Sequence, residues 1–338
     1  MQGVEPSAKV WAPVRPPAER PLLMLAPMEG ISDAIVRDLL SSLGGMDLCV
    51  TEFIRVAHRP VPKKVLLEAC PELKSGGVTP SGVPVLVQLL GGDPALVAQT
   101  AETAVGLGAL GIDLNFGCPA KAVNGSDGGA ALLRCPSRLT DVIGATRARL
   151  PATVPVSAKI RLGYDDPDSV VELAKAVEAG GASWLTIHGR TKVQMYQPSA
   201  DWHRIRRAIE VVSIPVIANG DLFTPEALTR CQGITGARAF MFGRGAFRTP
   251  NLFRWARGFD HGPWSSEAHA GFLINLAERI ARSGYRDPER TALNRLKGWV
   301  RAWADGDEGR VPLFDTVKRC HELPQLLAHL RPLAERAA

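Results

Sequence analysis

The 338-residue sequence lacks the cysteine pairs and long apolar segments that mark metal-binding, disulfide-rich and membrane proteins. Its six cysteines are scattered and form no C-x-x-C pair, which argues against a zinc site or a disulfide framework and fits a reducing cytosol. No apolar run approaches the roughly 20 residues that a bilayer-spanning helix needs. The start of the chain has prolines and charges where a secretory signal would be apolar, so we interpret residues 1–20 as a flexible Pro-rich tail. These absences predict a cytoplasmic protein with no metal centre and no membrane anchor.

The sequence also lacks a G-x-G-x-x-G motif after any predicted strand, which disfavours a doubly wound dinucleotide-binding sheet. It has instead eight short apolar runs that are continuous rather than alternating, as is typical of parallel strands covered on both faces. Helical patterns separate them, and the one over 168–181 is expected to begin at a capping Asp168 and to end at Gly180 and Gly181. Eight strand–helix units predict a (β/α)8 TIM barrel, an α/β fold. The runs cover residues 22–28, 47–54, 84–91, 110–117, 155–162, 184–190, 215–221 and 239–245.

After about residue 258 the strands stop and only helical spacing remains. We therefore predict a catalytic barrel over residues 21–257 and a small helical domain over residues 262–338. The linker between them is the segment 258–264.

Nearly every predicted strand ends in a polar or reactive side chain. In a TIM barrel the carboxyl ends of the strands meet at one rim, which is where the active site lies. One such residue could merely solvate a strand end, but their repetition at matching positions favours a functional site. They include Glu29, Glu52, Arg55, Gln88, Asn115, Cys118, Lys159, Arg161, His188, Arg190, Asn219 and Arg244.

Lys159, in the segment "SAKIRL", is expected to point inward at the mouth of the fifth strand. Such a lysine can form a Schiff base, as in an aldolase, or can donate to a cofactor that accumulates negative charge. Gln88 and Asn219 add hydrogen-bonding groups, and the segments 218–221 and 241–245 end the last two strands, where barrels bind phosphate through backbone N–H groups. This set suits a planar heterocycle with a phosphate tail, and FMN fits that description.

Cys118 lies between a glycine and a proline after the fourth predicted strand, and Gly125, Gly128 and Gly129 follow it. A small core residue in a rigid turn does not need this setting, whereas a reactive thiol beside a bound ligand does. Free cysteine is mostly the thiol at neutral pH, so this position suits a general acid. The glycines would let the backbone and a ligand approach each other closely.

A net charge of +6 and a pI near 9.1 are compatible with an acidic partner such as nucleic acid, but they are weak evidence alone. Within the predicted helical domain, seven Lys and Arg residues and two acids lie between Arg279 and Arg301. Arg290, Asn294 and Lys297 fall on one helical face with Arg301. Solvation is the ordinary explanation of such a face, and contact with RNA phosphates is the alternative.

Eight segments together resemble the tRNA-dihydrouridine synthases, in the same order and at compatible spacing, most strongly over residues 22–257. They are "LAPMEG", "TEF", "QLLG", "DLNFGCPAKAVNGSDGGA", "AKIRLG", "HGRT", "VIANGD" and "GRGA". The segments "APMEG" and "TEFIRV" and the Cys118 loop are most similar to the bacterial C branch, which modifies the D-loop uridine at tRNA position 16. The resemblance implies FMN as cofactor, NADPH or NADH as reductant and tRNA as substrate, in a protein that is expected to be a monomer.

The resemblance also implies residue roles. Cys118 would protonate C5 of the uracil after a hydride from the flavin has reached C6. Contact with FMN is implied for Pro27, Met28, Glu29, Gln88, Lys159, His188, Asn219, Gly220, Asp221, Gly243 and Arg244. Contact with the uridine or the rest of the tRNA is expected for Arg55, Asn115, Arg161, Tyr196, Arg295, Lys297 and Arg301.

Two other functions fit parts of the sequence. An FMN barrel that acts on a free pyrimidine, with the helical domain serving assembly, would leave the basic helix unexplained. An RNA-binding protein whose barrel has lost catalysis would not need Cys118 and Lys159 at strand ends.

Overall fold

A computed structural model describes residues 20–120 and 128–335, and its parallel strands close into a barrel. Strand β1 pairs with β2 and β9, the order continues from β9 back to β4, and β2 pairs with β4. Eight strands thus form a closed ring, and the two-residue β3 extends it beside the end of β4. The predicted (β/α)8 TIM barrel is confirmed. The strands are β1 Leu22–Leu25, β2 Leu48–Val50, β3 Ile54–Arg55, β4 Val85–Leu90, β5 Ile112–Asn115, β6 Val156–Arg161, β7 Trp184–His188, β8 Val216–Asn219 and β9 Ala239–Phe242.

The barrel strands are buried on both faces, as their continuous apolar runs predict. Inward-facing side chains such as Met24, Leu86 and Trp184 form one apolar cluster, and outward-facing ones such as Leu23 and Leu185 join the larger core under the helices. The eight strands of the closed ring therefore have no solvent-exposed face that would require alternating polar residues.

The predicted strand over 47–54 is wrong in one respect, because the structure divides it into β2 and β3. Between them the Thr51 hydroxyl accepts a hydrogen bond from the backbone N–H of Gln88 at 2.9 Å. At this point a side chain replaces the backbone carbonyl that would accept this bond in a continuous pair of strands. The bend carries Glu52 and Phe53 to the rim of the barrel.

Helices α1–α9 belong to the barrel, and α10–α13 form the helical C-terminal region. Their bounds are α1 Ala34–Ser42, α2 Lys63–Ala69, α3 Pro94–Gly106, α4 Pro136–Arg149, α5 Val170–Ala179, α6 Trp202–Ile209, α7 Pro225–Thr235, α8 Arg244–Arg248, α9 Leu252–Ala256, α10 Ser266–Ala281, α11 Pro288–Ala304, α12 Val311–Val317 and α13 Leu323–Ala334. None of the helices within residues 20–120 and 128–335 is long and apolar enough to cross a membrane.

The prediction that Asp168 caps α5 is wrong. The Asp166 side chain accepts a hydrogen bond from the Asp168 N–H at the start of a 3-10 turn, Pro167–Ser169, and α5 begins only at Val170. The Asp168 carboxylate instead pairs with Arg207. The predicted end of the helix is confirmed, since Gly180 is its C-cap and Gly181 has a φ of 83°.

The C-terminal helices pack on the barrel through a continuous apolar core. Leu273, Leu296 and Leu326 are fully buried between helices, and the Trp299 ring of α11 lies 4.4 Å from the ring of Phe247 at the end of barrel helix α8. This contact brings α11 beside the carboxyl ends of the strands. The division of the chain into a catalytic unit and an RNA-binding unit remains a prediction.

Candidate active site

One cavity of about 720 Å³ opens at the carboxyl ends of the barrel strands. Its walls come from the strand ends of the barrel and, on one side, from residues 298–305 at the end of α11. This is the size range of cavities that hold cofactors and drug-sized ligands. The helical region therefore completes the cavity that the barrel begins.

Most of the predicted site residues line this cavity. They are Pro27, Met28, Glu29, Asn115, Cys118, Lys159, Arg161, His188, Tyr196, Asn219, Gly220, Asp221, Gly243, Arg244 and Arg301. Gln88, Arg55, Arg295 and Lys297 lie outside its wall. Geometry alone does not establish what each residue binds, so the predicted roles remain predictions. Of the glycines predicted to follow Cys118, Gly125 lies outside the described residues.

A buried chain of hydrogen bonds positions the backbone of Cys118. Asp113 accepts from Gln88 Nε2 at 2.6 Å, and Gln88 Oε1 accepts from Asn115 Nδ2 at 2.8 Å. Asn115 Oδ1 in turn accepts from the backbone N–H groups of Gly117 and Cys118, at 2.9 and 3.0 Å. Gln88 has no exposed surface. The structure thus places Gln88 behind the cavity wall, where it orients Asn115 and, through it, the cysteine loop.

The Cys118 side chain is 9% exposed at the cavity wall, where it packs with Leu90 and Phe53. Burial is the main cause that raises the pKa of its thiol, and the nearby charge of Glu29 acts in the same direction. The Arg161 and Lys159 charges oppose this shift without cancelling it. The group is therefore a protonated thiol at neutral pH, which can give a proton but is a poor nucleophile.

Lys159 makes no hydrogen bond or ion pair with any residue of the described chain, although it lines the cavity. Burial lowers the pKa of its ammonium group to about 8, and the Arg161 charge adds to this, while Asp113 and Cys118 oppose it. A half-buried cation without a partner is costly unless a ligand supplies negative charge. The cavity therefore favours a ligand with an anionic or strongly electron-rich edge beside Lys159.

Arg161 and His188 form the side of the cavity next to Lys159, and they differ in charge and in their hydrogen bonds. Arg161 donates to the carbonyl oxygens of Gly117, Thr191 and Met195 at 2.9–3.0 Å, so it holds the cysteine loop and the Tyr196 loop together. Burial and the neighbouring cations, Arg161 first, hold the pKa of His188 well below its usual value. His188 is thus a neutral ring, and its Nδ1 is a buried atom without a hydrogen-bond partner.

Asp221 bridges two arginines at the rim. Its carboxylate lies 2.6 Å from Arg190 and 3.1 Å from Arg244, and it also accepts from the Ala200 N–H. Arg244 lies 4.6 Å from the centre of the Tyr196 ring. Asp221 has a φ of 54°, an uncommon conformation for a residue with a side chain. Its surroundings favour a role in orienting Arg244 over direct contact with a ligand.

The predicted basic face of α11 is divided by the fold. Arg301 lines the main cavity, whereas Arg290, Asn294 and Lys297 line a smaller groove of about 350 Å³ against residues 320–323. Arg295 points elsewhere: its guanidinium lies 2.7 Å from Asp33 and donates to the Tyr285 hydroxyl at 3.0 Å. The structure therefore places Arg295 between the helical region and the barrel.

We expect Arg295→Ala to lower the free energy of unfolding by about 1–3 kcal/mol, because it leaves the half-buried Asp33 carboxylate without its cation. Asp33 also caps α1, accepts from Tyr285 and has 13% of its side chain exposed, as does Arg295. Denaturant unfolding measures the change. The matched control is Arg282→Ala, whose arginine is 79% exposed and pairs with the exposed Glu278 one turn earlier. Equal denaturant midpoints for the two variants would show that Arg295 does not stabilise the contact between the helical region and the barrel.

Several cavity residues were not predicted from the sequence. Phe53, Phe223, Phe247 and Arg248 line the wall, as does Asp305. Phe53 follows Glu52 in the recognised segment "TEF", which could have drawn attention to it. The others lie beyond strand ends or on α11, and only the packing of α11 against the barrel brings them to the site.

Within residues 20–120 and 128–335 there is no group of three or more His, Cys, Asp or Glu side chains placed to hold a metal ion. The six cysteines all belong to this part of the chain, and none is in a disulfide.

Comparison with known proteins identifies relatives over most of the chain. The profile of the family described as dihydrouridine synthase (Dus) matches residues 24–284. The tRNA-dihydrouridine(16) synthase of Shewanella oneidensis is 51% identical over 230 residues, which are 68% of this chain and 73% of that protein. The protein of the same name from Pseudomonas putida is 41% identical over 309 residues, 90% of this chain and 96% of that protein. The one from Salmonella typhimurium is 47% identical over 280 residues, 82% and 88% of the two chains.

Proposed function

Since this chain belongs to the dihydrouridine synthase family, we propose that it reduces one D-loop uridine of tRNA, at position 16, to 5,6-dihydrouridine. The named relatives are tRNA-dihydrouridine(16) synthases, and the similarity to the Pseudomonas putida protein extends over 90% of this chain, which includes the barrel and C-terminal helices. The observation that carries the proposal is the placement of a protonated thiol, Cys118, and of Lys159, a cation with no partner in the described part of the chain, on the wall of one cavity.

The residues of the cavity fit FMN as the cofactor. Lys159 has no partner among the described residues, and the buried His188 Nδ1 has none either. Gly220 has a φ of 118°, and a Cβ there would come within 2.9 Å of the Ala200 side chain, so this strand end requires glycine. Lys159, His188 and Asn219 would hold the ring, and the backbone at Gly220 and Gly243 would hold the phosphate.

When bound and reduced by NADPH or NADH, FMN supplies the hydride that goes to C6 of the uracil. The protein has to do the rest. Lys159 favours negative charge on the ring edge beside it, because the positive charge acts in a partly dry site. Asn115 and Arg161 keep the cysteine loop in place through hydrogen bonds to its backbone.

Cys118 would donate the proton that completes the reduction, from its sulfur to C5 of the uracil. Proton transfer needs a group of suitable pKa within reach of the accepting atom. The raised pKa of Cys118 keeps the thiol protonated, and the Asp113–Gln88–Asn115 hydrogen bonds limit the movement of its backbone. The thiolate formed in this step recovers its proton from solvent before the next turnover.

A flavin barrel that reduces a free pyrimidine is the competing function. Such an enzyme would close its cavity around a small ligand, whereas here the mouth is bordered by Arg244, Arg301 and the exposed Tyr196. A stacked uridine must leave the tRNA to reach Cys118, and cationic and aromatic groups at the mouth suit that movement.

The test is to incubate the FMN-loaded protein and NADPH with an unmodified tRNA transcript and, separately, with uridine monophosphate. We expect dihydrouridine in the tRNA and, per uridine, at least about 10²-fold slower turnover of the free nucleotide, since RNA contacts outside the cavity supply the binding energy. Mass spectrometry of the digested RNA measures the product. Faster reduction of the nucleotide than of the tRNA would favour the competing function.

A further inference from the structure

One wall of the cavity is formed by residues that come late in the sequence, and it contains two arginines with no assigned role in flavin binding. Arg248 ends the barrel helix α8, and Arg301 lies near the end of α11. Gly298, Ala302 and Asp305 line the same wall, and together with Arg301 they repeat at intervals of three and four residues along one side of α11. The wall therefore joins a cation of the barrel to a cation of the helical region.

Arg248 is held in place without using its hydrogen-bond donors. Its guanidinium carbon lies 4.4 Å from the centre of the Phe223 ring, and its side chain passes so close to Gly306 that a Cβ there would overlap it. Within the described chain it makes no hydrogen bond and no ion pair. A side chain that is half-buried and oriented by packing has already lost much of its rotational freedom, so binding an anion costs it little more.

The other arginines of the cavity are already engaged. Arg161 donates to three carbonyl oxygens, and Arg244 pairs with Asp221 and lies over the Tyr196 ring. Arg301 is exposed and, like Arg248, has no ion pair within residues 20–120 and 128–335. Asp305 is the acid of this wall, and its charge raises the pKa of Arg248, while burial, the larger effect, lowers it.

We propose that Arg248 and Arg301 together bind one backbone phosphate of the RNA next to the target nucleotide. This inference rests on the proposed function and adds a site to it. With the target base at Cys118, its ribose and phosphates must cross the rim, because the backbone cannot follow the base into the barrel. A planar guanidinium can bind a phosphate with two parallel hydrogen bonds, and Phe223 keeps the plane of Arg248 oriented for this.

The experiment measures equilibrium binding of unmodified tRNA to the FMN-loaded protein at about 50 and 200 mM salt, together with KM for NADPH. Arg248→Ala is expected to raise the Kd for tRNA about 10–100-fold, the effect of losing a charged hydrogen-bonded contact. The slope of log Kd against log salt should fall by about 0.7–1. Arg248→Lys should recover part of the loss, because it keeps the charge and loses the two-pronged geometry.

Two further variants make the test specific. The effects of Arg248→Ala and Arg301→Ala should combine to less than the product of the single losses, since both groups bind one phosphate. The matched control is Arg206→Ala, which removes an exposed arginine that pairs with Glu210 on α6, away from the cavity. It should leave the Kd for tRNA and the salt slope at the wild-type values. Bound flavin absorbance and the melting temperature show whether each variant is folded.

A Kd and a salt slope for Arg248→Ala equal to those of Arg206→Ala would overturn the inference. So would an increase in KM for NADPH larger than the increase in Kd for tRNA, because the phosphate would then belong to the reductant. In either case a wild-type protein that forms dihydrouridine leaves the proposed function standing. A wild-type protein that forms none would overturn both.

Discussion

Cys118→Ala is expected to form dihydrouridine in tRNA about 10²–10⁴-fold more slowly than the wild-type protein, the range for loss of one positioned general acid. The methyl group of alanine carries no proton to give, and the Cys118 side chain lies at the wall of the cavity that would hold the uracil. Single-turnover reduction of tRNA by the reduced protein isolates this step from the reaction with NADPH. The flavin should still be bound and reduced, because the thiol acts after that stage.

Two control variants make the result specific to the proton. Cys118→Ser keeps a similar shape but replaces the thiol by a much weaker acid, so it should be almost as slow as alanine. Cys135→Ala removes an exposed thiol outside the cavity and should react like wild type. Near-wild-type rates for both Cys118 variants would place the acid on another group.

Lys159→Met is expected to weaken FMN binding by about 10–100-fold and to slow reduction of the flavin by NADPH. At an effective dielectric constant near 20, a positive charge about 4 Å from developing negative charge is worth at most about 4 kcal/mol, and part of this is lost to water and relaxation. Methionine preserves most of the side-chain volume, so the change removes charge more than packing. Flavin titration and stopped-flow reduction measure the two effects.

The pKa of Lys159 predicts that the rate of flavin reduction depends on pH. The pKa of Lys159 is about 8, so the side chain is charged below that pH and loses its charge as the pH rises through it. Flavin reduction in the wild-type protein should therefore fall above about pH 8, and this inflection should be absent from Lys159→Met. Lys192→Met is the control, since Lys192 lies over the Tyr164 ring and outside the cavity. Unchanged flavin affinity and an unchanged pH profile in Lys159→Met would contradict the role of Lys159.

The barrel and the centre of its cavity could be predicted from the sequence because both depend on local order. Eight buried apolar runs specify parallel strands, and in a closed parallel barrel the ends of those strands must meet at one rim. Asn115 and His188 end β5 and β7, and Lys159 lies two residues before the end of β6, so their convergence follows from the topology. Cys118 follows β5 after a short turn and is carried to the same place.

The partners of individual side chains could not be predicted, because they depend on contacts between distant segments. From the sequence, Gln88 is expected to donate a hydrogen bond into the cavity. In the structure its amide is hydrogen-bonded to Asp113 and Asn115 instead. Arg295 belongs to a basic helix in the sequence, but the docking of that helix turns it toward Asp33, more than two hundred and fifty residues away in the chain. The sequence alone is compatible with Asp168 as the cap of α5, because only the structure shows that Asp166 caps a 3-10 turn ahead of the helix.

Three residues that line the cavity away from the strand ends could not be predicted for a related reason. Phe223 and Arg248 lie past strand ends, and Asp305 lies at the end of a helix that the sequence assigns to a separate domain. Contacts such as that between the Trp299 and Phe247 rings, whose centres are 4.4 Å apart, show that this helix shares a wall with the barrel. Periodicity reveals which face of a helix is apolar but not which surface it covers.

The most direct test of the proposed function is a nucleotide-resolved map of dihydrouridine in tRNA from cells that lack this protein. We predict that dihydrouridine at position 16 disappears, returns when the wild-type chain is expressed, and does not return with Cys118→Ala. Dihydrouridine elsewhere in the same tRNAs should be unaffected. Retention of dihydrouridine at position 16 in the cells without the protein, together with its loss at another position or with no loss at all, would contradict the account.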